Sequence, residues 1–231
     1  MRTNLKLFIS AFVLLAVVSC VQAQQSETRN LGSFSKVSSG GSWEVILTEG
    51  NQEEVRIEVR GVDLSKVKTE INGDELNLGL ERGSYRNVQL KFYVTYRNLE
   101  GVSVSGSGDM EVTSPIRADQ FSIGLSGSGD ISMKELVAGQ LMASISGSAE
   151  IKIADGEVES AEIKQSGSGD FKGENLAIES LYVSKSGSGD THVGDLGEIS
   201  VRSSGSGDVV YSGSPRLGEI KTSGSSRIRK R

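Results

Sequence analysis

Cysteine occurs once in the 231 residues, at Cys20, so the chain can form no internal disulfide and must draw its stability from packing and strand pairing. Proline occurs twice, and His192 is the only histidine. A zinc-type cluster of Cys and His ligands is therefore excluded. Aromatics make up 5% of the residues, few for a surface built to stack on sugar rings. A basic excess is also missing: 25 Lys and Arg stand against 30 Asp and Glu, which argues against a nucleic-acid binder. No Gly-x-x-x-x-Gly-Lys-Ser/Thr phosphate loop is present. After the first 20 residues no apolar run is long enough to span a bilayer as a helix.

What is there begins with an export signature at 1–23. Arg2 and Lys6 precede an apolar stretch from Leu7 to Val18, too short for a spanning helix. Two readings follow. Val21-Gln22-Ala23 reads as a signal-peptidase site, with Gln24 as the new N-terminus. Val17-Val18-Ser19-Cys20 reads as a lipobox, with Cys20 acylated after cleavage before it. Loss of 1–23 removes Arg2 and Lys6 and no acid, leaving 23 basic against 30 acidic residues, a net charge of −7. The remaining chain is long enough for one domain with a continuous core. The expected organisation is a short leader at 24–30 and a single domain over 31–231, with irregular strands at 31–104 and repeats at 105–231.

The repeats carry the fold. Ser-Gly-Ser-Gly-Asp stands at 105–109, 126–130, 166–170, 186–190 and 204–208, with Ser-Gly-Ser-Ala-Glu at 146–150 and Ser-Gly-Ser-Ser-Arg at 223–227. The steps between starts are 21, 20, 20, 20, 18 and 19 residues. A period near 20 marks a solenoid in which each repeat is one coil. Leu125, Gly127, Gly129, Ile131 and Met133 share one parity and Ser126, Ser128, Asp130 and Ser132 the other, the alternation of a strand. Aligned coils give apolar ladders in three stretches. The expected fold class is therefore all-β: a right-handed parallel β-helix of three sides, about six residues per side at ~3.3 Å each. The glycines on the inner parity mark places where a Cβ would clash. In the N-terminal third, Trp43–Thr48, Val55–Arg60, Val67–Ile71, Glu75–Leu80 and Val88–Tyr96 read as strands, and no amphipathic helix is expected.

Several of these features together resemble a known family, the head-GIN domain of auto-transporter adhesins. They are Phe34-x-x-Val37, Gly41-x-Trp43-x-Val45-x-Leu47, Leu99-x-x-Val102-x-Val104 running into the first pentapeptide, the repeats themselves, and Tyr211-x-Gly213-x-Pro215. The resemblance covers about 31–231. It implies an exported β-solenoid-like domain with no catalysis attached. An auto-transporter also carries a membrane-barrel translocator, and none follows the repeats up to Arg231, so self-secretion through the outer membrane is not part of the expectation.

Four features are candidate sites. Asp109, Asp130, Glu150, Asp170, Asp190 and Asp208 fall in one register on the outward parity. Carboxylates ~5 Å apart repel by about 0.8 kcal/mol in water, so something compensates them. One reading is a calcium ladder. The other is a solvated face whose carboxylates accept turn amides or serine hydroxyls, with Lys152, Lys172 and His192 as cationic neighbours; the missing facing half-site favours the second. The tail Arg227-Ile228-Arg229-Lys230-Arg231 reads as a charged end cap or as a site for anionic glycans or headgroups. Tyr93 and Tyr182 are outward aromatics without a platform around them. A catalytic constellation is not expected, since His192 has no marked nucleophile, and no cofactor is implied.

The functional expectation is an exported, non-enzymatic, adhesin-like solenoid that contacts glycans or envelope and matrix proteins. It would sit in the periplasm, outer membrane or cell surface. It would bind no nucleic acid and would touch membrane only through a lipid on Cys20. The alternatives are an envelope assembly lipoprotein and, behind it, a polysaccharide-lyase-like enzyme.

Overall fold

In a computed structural model the described residues are 24–231; the export segment and Cys20 lie outside them. All strands join one continuous sheet of 19 strands. The cap end comprises β1 (Gln25–Asn30), β2 (Lys36–Gly41), β3 (Glu44–Glu49), β4 (Glu54–Arg60), β5 (Val67–Asn72), β6 (Glu75–Leu80) and β7 (Gln89–Tyr96). The coils follow as β8 (Gly101–Gly106) with β9 (Met110–Val112), β10 (Ile116–Gly127) with β11 (Ile131–Met133), and β12 (Leu136–Gly147) with β13 (Glu150–Ile153). Next come β14 (Gly156–Gly167) with β15 (Asp170–Gly173), β16 (Leu176–Gly187), β17 (Thr191–Gly205), β18 (Val209–Gly224) and β19 (Ile228–Lys230). The only helical turn among these residues is a 3-10 turn at Leu64–Lys66, capped by Asp63, which accepts the Ser65 amide at 2.8 Å.

Each coil lies parallel to the coils on either side, in the register the repeats set. Ile116 pairs with Leu136 and Gly127 with Gly147; Leu136 pairs with Gly156 and Gly147 with Gly167. The tube has three sides, as expected, but they are unequal. Paired runs of three residues (Ile116–Ala118), eight (Gln120–Gly127) and three (Ile131–Met133) replace the expected six each. Pairing skips Asp119 and Gly139, and there the buried parity changes from even to odd numbers, which makes a corner. The inward ladders fill the tube. Phe121, Leu141, Ala161, Leu181 and Ile199 form one, and Ile131, Ile151, Phe171 and Thr191 another.

The pentapeptide is the corner at the end of the long side. Its first glycine takes positive φ in every copy, for example +122° at Gly106, +121° at Gly127 and +127° at Gly187. That conformation aims the glycine carbonyl at the next coil, where the second serine's amide meets it: Ser128 N to Gly106 O is 2.8 Å, and Ser188 N to Gly167 O is 2.8 Å. A Cβ on Gly127 would lie 2.1 Å from the Gly106 oxygen. Glycine is therefore required by both the left-handed φ and the close approach.

The N-terminal third is a cap grown from an additional coil. β2 and β3 lie in register below β8 and β9, with Gly41 opposite Gly106 and Val45 opposite Met110. Gly40-Gly41-Ser42-Trp43-Glu44 is thus another copy of the corner. The chain leaves this coil after β3, and β4 to β7 close the tube. β6 adds to β2 and β5 pairs antiparallel with β6; β7 adds to β3, with β4 and then β1 following antiparallel. The switch from parallel to antiparallel ends the stacking. Residues 25–30, expected as a leader, are the strand β1, whose Arg29 donates to the Val67 carbonyl at 2.7 Å and the Leu64 carbonyl at 3.0 Å.

Gly127→Ala is expected to lower unfolding free energy by about 2–4 kcal/mol. Gly40→Ala, where a Cβ meets nothing within 4 Å, is expected to change it by less than about 0.5 kcal/mol. Urea unfolding of both variants checks the pair; equal losses would mean the corner does not depend on the glycine.

Candidate functional site

The six predicted acids do line one column, and the added coil puts Glu44 at its foot. Most of the aspartate carboxylates are occupied by the backbone of the coil above. Asp109 Oδ1 accepts the Asp130 amide at 3.0 Å, and Asp130 Oδ1 the Glu150 amide at 2.8 Å. Asp170 Oδ1 accepts the Asp190 amide and Asp190 Oδ1 the Asp208 amide, both at 2.7 Å. The step breaks only at Glu150, whose longer side chain is held by Lys172 at 2.5 Å; the Asp170 amide turns instead to the Ala149 carbonyl at 3.0 Å. Among the described residues no three Asp, Glu, His or Cys side chains converge to hold a metal ion. Each aspartate acts as an amide acceptor that also carries charge, which is the solvated, hydrogen-bonded geometry.

Cations close the column at both ends. Lys91 Nζ lies 2.6 Å from Glu44 at the cap. At the far end Arg227 stands where an acid would, and its amide donates to Asp208 Oδ1 at 3.1 Å. Arg229 Nε is 3.4 Å from Asp208 Oδ2. Partial burial pushes the Asp208 carboxyl up, but the Arg227 amide, the Arg229 bond and both guanidinium charges outweigh it and hold the group below the usual range. Lys172 reaches down to Glu150, and His192 Nδ1 lies 4.0 Å from Glu174. Tyr93 is covered by Arg56, whose guanidinium carbon sits 3.7 Å from the ring centre.

The sequence reading missed a polar column inside the tube. Just before the pentapeptide, Val104, Leu125 and Ile145 give way to Gln165, Lys185 and Ser203, all buried. Gln165 Nε2 donates to the carbonyls of Gly169 (3.0 Å) and Asp190 (2.9 Å). Its Oε1 accepts from the Thr191 hydroxyl. One coil on, Lys185 Nζ makes the same pair of bonds, to Gly189 O at 2.5 Å and Asp208 O at 3.1 Å. Burial lowers the Lys185 ammonium below 10.5, against the upward pull of Asp190, Asp208 and Asp170. The signal was present as polar residues at an inward position, but a periodic pattern averages such exceptions away.

The long side presents a third array. Ser105, Ser126, Ser146, Ser166, Ser186, Ser204 and Ser223 form one continuous outward column beside the corner. The adjacent column reads Ser103, Gly124, Ser144, Lys164, Ser184, Arg202 and Lys221. In the C-terminal half these columns line a broad depression of about 860 Å³. Lys164 pairs with Glu162 at 2.8 Å and Arg202 with Glu219 at 3.1 Å, all exposed and so weakly held.

Asp130→Asn keeps an acceptor for the Glu150 amide and is expected to change stability by less than about 0.5 kcal/mol, whereas Asp130→Ala should cost about 1 kcal/mol. Equal losses for Asn and Ala, in urea unfolding, would show that the charge rather than the hydrogen bond is what matters. Lys185 has a depressed value in the fold, so the unfolded chain holds that proton to higher pH. Stability should rise as pH approaches 10.5, and Lys185→Gln, which repeats the Gln165 bonds, should remove that rise. Unfolding midpoints of both proteins across alkaline pH give the comparison; parallel curves would contradict it.

Comparison with known proteins places this geometry. No curated protein matches the sequence. Among solved structures, a putative adhesin of Bacteroides fragilis is similar at TM-score 0.83 and 19% identity, over 91% of this chain and 98% of that one. A putative adhesin of Parabacteroides merdae follows at TM-score 0.68 and 17% identity, over 90% and 96%. A putative lipid binding protein of Parabacteroides distasonis stands at 0.69 and 18%, also over 90% and 96%. At these identities the likeness is one of fold. No helix among the described residues is long and apolar enough to cross a membrane. The family model described as "Putative auto-transporter adhesin, head GIN domain" matches residues 33–215, and the chain belongs to that family.

Proposed function

We propose that the protein is an exported, non-enzymatic surface-binding solenoid that contacts glycans or envelope and matrix proteins through its long side. The observation that carries this reading is the paired outward array: an unbroken serine column beside a column holding Lys164, Arg202 and Lys221. Hydroxyls at a ~4.8 Å repeat with cations beside them offer regularly spaced donors to a repeating anionic or hydroxyl-rich chain. Tyr182 stands on the same side, in register with Glu162 and Ser200, and adds one apolar contact. The reactive residue types serve elsewhere as structure. The serines stack on serines, the aspartates accept amides, and His192 is set beside Glu174. Adhesin-like family membership supports the coarse assignment. A lipid-binding role, named for one structural relative, would have to use the outside of this tube, because its interior is filled by side chains. An export signal cut after Ala23, or a lipid on Cys20, would place the domain in the envelope or at the surface.

Purified 24–231 protein should show saturable binding on a panel of glycans and matrix proteins at physiological salt, insensitive to calcium chelation. Lys164→Glu, Arg202→Glu and Lys221→Glu together should weaken it at least about tenfold. Binding that survives this triple change would move the site off the long side. A blank panel would favour the envelope-assembly role.

A further inference from the structure

The two ends of the tube differ. At the cap end, antiparallel hairpins cover the core. At the other end, the long side of β18 is paired with β17 on one edge, and among the described residues nothing pairs its opposite edge over 212–224. Its inward-parity side chains lack a lid. Leu217 lies in register with Ile199 and Ile220 with Val201; the inner pair are 0% and 1% exposed, the outer pair 60% and 39%. Besides these two, Met142 is the only large apolar side chain that is exposed among the described residues. Terminal repeats of a solenoid ordinarily turn a polar face outward.

Charge separates the ends further. Residues 101–208 carry 17 acids against seven Lys and Arg, while 209–231 carry six Lys and Arg against Glu219 alone. Charge does blunt a sheet edge. Here, however, the Arg227–Arg229 stretch lies over the short side at Asp208, whereas Leu217 and Ile220 belong to the long side. A second copy meeting mouth to mouth would bring two strongly basic rims together, which like-charge repulsion opposes.

We propose that this open end is a docking site for an extended acidic strand of a partner protein. Such a strand would add to the free edge of β18 in the manner of one more coil. Its alternate apolar residues would cover Leu217 and Ile220, and its acids would meet the basic rim, as Asp208 meets Arg229 now. The mode is independent of the long-side array proposed above.

The chain supplies its own probe. A labelled synthetic peptide of residues 186–208 carries Asp190, Asp195, Glu198 and Asp208 against Arg202, and in the tube it pairs with β18 in register. Added to the 24–231 protein, it should bind saturably by fluorescence anisotropy and weaken about tenfold between low and high salt. Leu217→Ser with Ile220→Ser leaves charge unchanged and should abolish binding without shifting the unfolding midpoint. Replacing the peptide's acids by Asn and Gln should weaken it comparably to raising salt. The triple change at Lys164, Arg202 and Lys221 removes the nearby Lys221, so Lys164→Glu alone is the control: it should leave peptide binding intact. Absence of saturable binding, or binding indifferent to Leu217→Ser and Ile220→Ser, would overturn the proposal. So would sedimentation showing a dimer that these two changes dissolve, which would give the mouth to a second copy.

Discussion

Backbone meets backbone at the pentapeptide corner, and the rest of the tube depends on that contact. The first glycine of each copy turns its carbonyl toward the next coil, and a serine amide takes it at 2.8–2.9 Å in coil after coil. Because no side chain can fit between them, the corners stack directly, and that locks the register of every strand leading into and out of them. A slip by one residue would set a serine or aspartate over glycine and turn the apolar ladders outward. The repeat is thus conserved along the chain by geometry, even where its other letters change: Ala149 replaces the second glycine and Arg227 the acid, but Gly147 and Gly224 keep positive φ.

Stacking like on like has an electrostatic cost, since each acid lies above another. The structure offsets it in two ways. Within the column, aspartate is short enough for its Oδ1 to accept the amide of the acid above, so each charge faces a donor as well as a like charge. At the ends, Lys91 and the Arg227–Arg229 pair close the column with cations. Glu150 tests this account from inside the molecule. One methylene longer, it leaves the amide chain and needs Lys172 as a partner. Calcium is not required to explain how these carboxylates coexist.

Much of the architecture was legible because period, parity and glycine placement all report the same stacking. The acid column was legible for that reason too. What escaped was whatever breaks the repeat. The copy at 40–44 hides because Trp43 stands where the other copies have glycine, alanine or serine, with its indole donating to Ser39 at 2.8 Å and packing edge-on against Phe92. β1 escaped because Gln25–Asn30 is polar throughout, and its pairing with β4 depends on the cap rather than on its own hydrophobicity. Gln165 and Lys185 escaped because an inward polar residue is visible only once the carbonyls it serves have been located. Unequal sides escaped because a period gives the perimeter of a coil and says nothing of how corners divide it.

The interior polar column also bears on why the two ends differ. Toward the cap the corner is packed by Val104, Leu125 and Ile145, so each coil is held to the next by apolar area as well as hydrogen bonds. Toward the mouth the same positions are Gln165, Lys185 and Ser203; the first two fasten consecutive corners through carbonyls of their own coil and the next, and the third through a hydroxyl of the next. Such a staple is directional: Lys185 reaches Asp208, and Ser203 reaches Ser226 at 2.7 Å in the last coil. Cohesion there rests on polar bonds made upward, coil by coil, and each needs a coil above to complete it. An end built this way holds its last corner firmly while leaving the long edge of β18 without the apolar cover that the cap gives β2 and β3. The rigid corner and the uncovered edge together present a preorganised strand template, the condition under which adding a strand loses least conformational entropy.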